Sequence, residues 1–217
     1  MKPGLALIPA GQLKLEGIIE VPDGAPGIVL FAHGSGSSRH SPRNVYVARV
    51  VREGGIGTLL FDLLTEQEAE DRENVFDIEF LARRLIAATD WVRQLDSAKG
   101  LSIGYFGAST GAAAALVAAA DNETIGAVVS RGGRPDLAGA SLPRVKAPTL
   151  LIVGGDDTGV IELNQEAYDR LTCKKELKIV PGATHLFEEP GTLEEVARLA
   201  RDWFKRHLRG SRTEKRL

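Results

Sequence analysis

Leu101–Ala120, LSIGYFGASTGAAAALVAAA, decides the fold. Its first six residues, LSIGYF, are a short apolar run of the kind that forms a buried strand. Its last nine are Ala-rich with Leu116 and Val117, a strong helix former. Between them stands Gly107-Ala108-Ser109-Thr110-Gly111, a G-x-S-x-G pentapeptide. That pattern suits a sharp strand-to-helix turn, with small residues on either side so that strand and helix can close around it. The turn lifts the Ser109 hydroxyl above the strand and places it at a helix N-terminus, where free N–H groups favour developing negative charge. Taken alone, the pentapeptide is also compatible with a Gly-rich turn in which Ser109 is an ordinary helix cap.

Outward from this segment, apolar runs alternate with helical periodicity. The runs are Gly27–Ala32, Ile56–Phe61, Leu101–Phe106, Ile125–Ser130, Pro148–Val153 and Glu176–Val180. Most are apolar on both faces, as in strands covered by helices on each side. The alternating stretch Leu13–Val21 reads as an antiparallel edge strand or a hairpin arm. Helices are expected at Arg43–Glu53, at Phe76–Leu95 and from Thr192 onward, where Thr192 and Glu195 have capping-box spacing. Strand and helix alternate throughout, so the fold class is α/β, with a mainly parallel central sheet and helices on both faces. In such a sheet the functional crevice lies beyond the carboxyl ends of the strands.

The loops at those ends carry the chemistry. Gly154-Gly155-Asp156-Asp157 follows one strand, and either aspartate could orient a histidine; the spacing favours Asp157, with Asp156 second. His185 lies between the last strand and the last helix, and an imidazole with an unperturbed pKa near 6.5 suits a general base. The order Ser109, Asp157, His185 is that of α/β hydrolases and differs from the two well-known protease orders. Phe31-Ala32-His33-Gly34-Ser35-Gly36 follows the first central strand. Its backbone supplies an oxyanion donor at Ser35, or alternatively Gly36, with a second at Thr110. His33 reads as a structural hydrogen-bonder. Gly34-x-Gly36 with Asp62 after the next strand also resembles half of a dinucleotide-binding fingerprint, but Arg39 occupies the third glycine's position.

With HGSGSS at 33–38, GASTG at 107–111, VVSRGG at 128–133, LLIVGGDD at 150–157 and PGATHLFEEPG at 181–191, the chain resembles the dienelactone hydrolase branch of the α/β hydrolases from about residue 27 to 208. The resemblance implies an α/β-hydrolase fold without a separate cap domain, acting on esters or lactones without a cofactor. Dienelactone hydrolases proper use a cysteine nucleophile, whereas Ser109 occupies the elbow here. The expected activity is therefore that of a serine esterase or lactonase on small or short-chain esters, through an acyl-enzyme on Ser109. A thioesterase or acyltransferase would use the same three residues, and a non-catalytic binding protein on the same fold is the remaining class.

Composition narrows the partners. The 217 residues carry 27 Lys+Arg against 29 Asp+Glu, a net charge of −2, so nucleic acid and anionic membrane are not expected. The single cysteine, Cys173, excludes an internal disulfide framework and reads as a passive, partly buried thiol. Residues 1–208 read as one domain and 209–217 as a basic, disordered tail. Lacking a secretory or membrane signal, the chain reads as cytoplasmic. Arg39, Arg131 and Arg134 follow strands and are candidate substrate-binding residues for a carboxylate or phosphate. Glu66, Glu68, Glu70, Asp71 and Glu73 read as a solvated, mobile loop near the same rim. His40 and His207 are too far apart to suggest a metal site, and His207 near a helix end suits the helix dipole. The short Arg131–Ala147 connection, which leaves no room for a lid domain, predicts an open, shallow site.

Overall fold

The computed structural model describes residues 4–209. Among these, eight strands form one sheet in the order β1-β2-β4-β3-β5-β6-β7-β8. The strands are β1 (Gly4–Ala10), β2 (Leu13–Glu20), β3 (Gly27–Ala32), β4 (Gly57–Phe61), β5 (Ser102–Ala108), β6 (Ile125–Arg131), β7 (Thr149–Gly154) and β8 (Lys175–Val180). From β4 to β8 neighbouring strands are parallel, and β2 pairs antiparallel with both β1 and β4. The Leu13–Val21 stretch is therefore a hairpin arm, whose partner β1 is the edge. Pro9 lacks an N–H and is tolerated there because an edge strand need not donate on both sides. Ala6, Ile8 and Ala10 face the core while Leu5, Leu7 and Pro9 face out, the period-two pattern of a half-covered strand.

Helices α1 (Pro42–Glu53) and α7 (Thr192–His207) cover one face, and α4 (Ile78–Gln94) and α5 (Thr110–Ala120) the other. Side chains alternate between the two layers. Ile28 and Leu30 of β3 join the α4–α5 layer, whereas Val29 and Phe31 join the α1–α7 layer. Helix α5 is buried from Thr110 to Ala119, and its alanines allow the close approach that a small-residue turn begins. Helix α7 presents Val196, Ala197, Ala200, Trp203 and Phe204 as one apolar stripe. The capping box expected at its start does not form. Gly191 is the N-cap at φ 83°, the Thr192 hydroxyl donates to the Glu189 carbonyl, and Glu195 pairs instead with Arg198.

Two short helices, α2 (Glu66–Ala69) and α3 (Arg72–Phe76), stand where the acidic segment reads as a mobile loop. Thr65 and Glu68 form a reciprocal capping box, and Asp71 caps α3. Glu68 also pairs with Arg84 of α4, whose guanidinium donates to the Ala10 carbonyl. Glu68 and Asp71 thus serve as caps and anchors, while Glu66, Glu70 and Glu73 stand exposed to solvent. Helix α6 (Thr158–Arg170) follows β7, and a 3₁₀ stretch, Pro135–Arg144, makes the short link between β6 and β7. The basic tail falls, beyond Arg209, outside the described residues. No helix among them is long and apolar enough to cross a membrane.

Candidate active site

Ser109 stands between β5 and α5, at the N-cap, with φ 50° and ψ −122°, a backbone state that costs a non-glycine residue about 1–3 kcal/mol. Neighbouring backbone holds it there. Its N–H donates to the Arg131 carbonyl at 3.3 Å, and its carbonyl accepts from Ala112 and Arg134, each at 3.1 Å. The flanking glycines are required by space. A Cβ on Gly107 would lie 2.4 Å from Ala112 Cα, and one on Gly111 would lie 2.2 Å from the Ala32 carbonyl oxygen. Strand, elbow and oxyanion loop therefore touch at van der Waals distance.

His185 approaches from the loop after β8. Its Nδ1 hydrogen-bonds Asp157 Oδ2 at 2.7 Å, while Asp156 is exposed to solvent, so the two adjacent aspartates separate clearly by position. Backbone bonds join the two loops: Gly155 N–H donates to the Val180 carbonyl and Asp156 N–H to that of Ala183. Within the His185 loop, Thr184 donates from its N–H and its hydroxyl to Glu189, which lowers the Glu189 pKa. Phe187 is fully buried at φ 57° and anchors the loop in the α1–α7 core. Ser109 and His185 border the same turn after β6. Arg131 accepts the Ser109 N–H, and a Cβ on Gly132 would lie 2.9 Å from the His185 carbonyl oxygen.

The oxyanion loop runs from His33 to Ser38 against the elbow, and a Cβ on Gly34 would lie 2.9 Å from Ser109 Cβ. Ser37 N–H donates to the Gly34 carbonyl, closing a turn with Gly36 at φ 67°. The Thr110 N–H sits at the first position of α5, where a helix leaves donors unpaired. Ser35 N–H differs from the simple expectation, since it donates to Thr110 Oγ1 at 3.1 Å. An oxyanion would have to share or displace that hydroxyl. His33 accepts the Leu63 N–H on Nε2 and pairs through Nδ1 with the Gly34 carbonyl, the structural role read from its position. Burial lowers its pKa, so it is held neutral.

The three candidate anion-binding arginines are placed otherwise than expected. Arg39 pairs with both Asp62 and Glu16. Arg134 grips Asp136 through two hydrogen bonds. Arg131 is the last residue of β6, only 5% exposed, and donates to Asn44 Oδ1; desolvation pulls its pKa down to about 10. Strand-end position alone could not separate a free guanidinium from one already matched to a carboxylate. His207 stacks on Trp203, and burial together with Lys174 and Arg206 lowers its pKa, which opposes the expected gain from the dipole. Cys173 lies on Thr149, away from Ser109, with its thiol pKa raised by burial. Among the described residues, no cluster of three or more His, Cys, Asp or Glu could hold a metal.

The expected open, shallow site has a cleft at its side, which Ser109, Asp157 and His185 do not line. A cleft of about 1110 Å³ opens beside Ser35 and Thr110, between the start of β2, the Asp62–Thr65 segment and helices α2 and α3. Sequence periodicity gave no sign of it, because its outer wall is the segment read as loop. Thr110, Glu189 and Phe187 were likewise not singled out for the contacts they make. Only the PGATHLFEEPG motif as a whole hinted at the last two.

The sequence pattern of the Dienelactone hydrolase family matches residues 15–209. The chain belongs to the dienelactone hydrolase family. It is 56% identical to a dienelactone hydrolase from Anabaena variabilis ATCC 29413, whose crystal structure superposes with a TM-score of 0.92, covering 96% of this chain and all of that one. A lidless α/β serine hydrolase from Xanthomonas campestris shares the fold at 21% identity and a TM-score of 0.77, over 95% of both chains. Two Mycobacterium tuberculosis proteins, from strains CDC 1551 and H37Rv, are each 62% identical over 202 residues and are provisionally named phosphoribosyl transferases. The match covers 93% of this chain but 46% of theirs, so the chain spans about half the length of these curated relatives. Family and fold support a hydrolase.

Proposed function

We propose that this chain is a serine hydrolase that cleaves small-molecule esters or lactones through an acyl-enzyme on Ser109. The observation that carries the reading is the strained elbow at Ser109 beside a His185–Asp157 pair bonded at 2.7 Å. In this reading Ser109 Oγ attacks the ester carbonyl carbon and its proton passes to His185 Nε2. Asp157 fixes the Nδ1–H tautomer and stabilises the imidazolium. The Thr110 and Ser35 N–H groups receive the negative charge on the carbonyl oxygen. The adduct collapses, the carbon–oxygen bond to the alcohol breaks, and His185 returns the proton to the departing oxygen. Water then repeats the sequence on the acyl-enzyme and releases the acid.

A strained nucleophile conformation supports catalysis over passive binding, since it must be maintained against its cost by the surrounding backbone. The transferase name belongs to relatives about twice as long, of which the match covers 46%. The test is hydrolysis of p-nitrophenyl acetate and labelling by a fluorophosphonate, each compared with Ser109→Ala. Loss of both in the variant is expected. Equal hydrolysis by both proteins, or neither hydrolysis nor labelling in either, would overturn the reading.

A further inference from the structure

We propose that the cleft beside Thr110 is the acyl-binding site and that it takes an uncharged, apolar acyl group larger than butyrate. This rests on the serine hydrolase reading and adds the substrate class. Residues of the oxyanion loop and Thr110 line the cleft, whereas Ser109 itself, the His185 loop and the Asp157 loop do not. In the tetrahedral adduct the departing oxygen faces His185, which must protonate it. In this reading the acyl carbon chain runs past the oxyanion loop, towards the cleft that this loop and Thr110 line.

The volume, about 1110 Å³, lies just above the range for small-molecule pockets, roughly 300–1,000 Å³. Acetate or butyrate would leave most of it to water. Its inner surface is apolar: Leu15, Leu63, Leu64 and Leu81 are buried beneath it. Its walls add two large apolar side chains that stand in water, Leu13 at 42% and Phe76 at 49% exposure. An apolar acyl chain would cover both.

The charges argue against an ionised acyl group. Arg39, the cation nearest the oxyanion loop in sequence, is already matched by Asp62 and Glu16, which line the same cleft. The exposed rim side chains Lys14, Glu66 and Arg72 leave the lining balanced, with three cations against three carboxylates. Arg72, which makes no ion pair among the described residues, lies at the exposed rim over the Phe76 ring, so a substrate carboxylate deeper in the cleft would be desolvated beside Asp62 with Arg39 already matched.

The experiment measures kcat/KM for p-nitrophenyl acetate, p-nitrophenyl hexanoate and the mono-p-nitrophenyl ester of adipic acid, whose chain matches hexanoate but ends in a carboxylate. Each methylene fully taken out of water is worth up to about fourfold, so hexanoate should exceed acetate by at least about tenfold even with partial burial. The adipate ester should fall at least about tenfold below hexanoate. Phe76→Ser, at an exposed position, should cut the hexanoate-to-acetate ratio by roughly fivefold; Val75→Trp, which fills the cleft, should cut it further. A wild-type ratio near one, an adipate ester as good as hexanoate, or a ratio that neither variant changes would overturn the proposal. These failures differ from failure of the underlying reading. Ser109-dependent hydrolysis of acetate with no chain preference sinks the cleft assignment alone, whereas hydrolysis unaffected by Ser109→Ala, or no turnover and no fluorophosphonate labelling, sinks both.

Discussion

Replacing Asp157 by Asn tests the proposed chemistry with the least change of shape. The carboxylate bonds His185 Nδ1 at 2.7 Å, with the Asp157 side chain 17% and the His185 ring 38% exposed. When the ring becomes an imidazolium, a partner charge about 4 Å away at an effective dielectric near 20 contributes about 4 kcal/mol. Water on the exposed part of the ring reduces this to about 2–3 kcal/mol. The amide adds a second loss. Its NH₂ group can donate to Nδ1, which places the ring proton on Nε2 and leaves no acceptor for the Ser109 proton. Together the two effects should lower kcat/KM for p-nitrophenyl acetate by about 10³–10⁴-fold. The fluorophosphonate labelling rate should fall in parallel, because labelling uses the same activated serine. Asp156→Asn, one residue away and exposed, should change kcat/KM by less than about threefold, within the range of an ordinary surface substitution. Thermal melts of both variants would establish that they are folded. A loss below about 30-fold in Asp157→Asn, or a larger loss in Asp156→Asn, would refute the assignment of Asp157.

Three further outcomes follow from the same contacts. Thr110→Ala removes the acceptor of the Ser35 N–H; stability should fall by about 1 kcal/mol in urea melts, and kcat should fall several-fold as the oxyanion loop loses its tether, with Thr110→Ser restoring both. Gly111→Ala forces a Cβ to within 2.2 Å of the Ala32 carbonyl oxygen and 2.5 Å of that of His33, so unfolding free energy should drop by more than about 3 kcal/mol; a drop below about 1 kcal/mol would show that the elbow can shift cheaply. His33 has a folded-state pKa below its unfolded value of about 6.5, so the unfolded chain binds more protons in that window. Its contribution should therefore be present above about pH 6.5 and be lost as pH falls below it. A His33→Gln variant whose stability shows the same slope between pH 7 and 5 would contradict this.

How much of this was legible follows the range of the forces involved. The central strands could be read because each is a short run apolar on both faces, and the elbow because G-x-S-x-G is a local steric demand. The α4 and α7 stripes followed from 3.6-residue spacing. Strand β1 was not recognised, because Pro9 counts against a strand unless the segment is known to lie at an edge. Residues 66–73 read as a loop because their acids look solvated in one dimension; the Thr65–Glu68 capping box is local, but the Glu68–Arg84 pair forms only on folding.

The sequence by itself determined the α/β alternation, the placement of Ser109, His185 and an aspartate at strand ends, and the family. These are written in local pattern, spacing and chain order. Tertiary structure alone decided which aspartate meets His185, that Ser35 N–H is held by Thr110, and that Arg39, Arg131 and Arg134 are engaged elsewhere. It also decided that a cleft stands beside the elbow. Except for Arg134 and Asp136, two residues apart, these depend on which groups meet across distances of 20 to 90 residues along the chain, as between Arg131 and Asn44. Pairing of that kind is set by the register of the sheet and the packing of its two helical layers, which local periodicity does not encode.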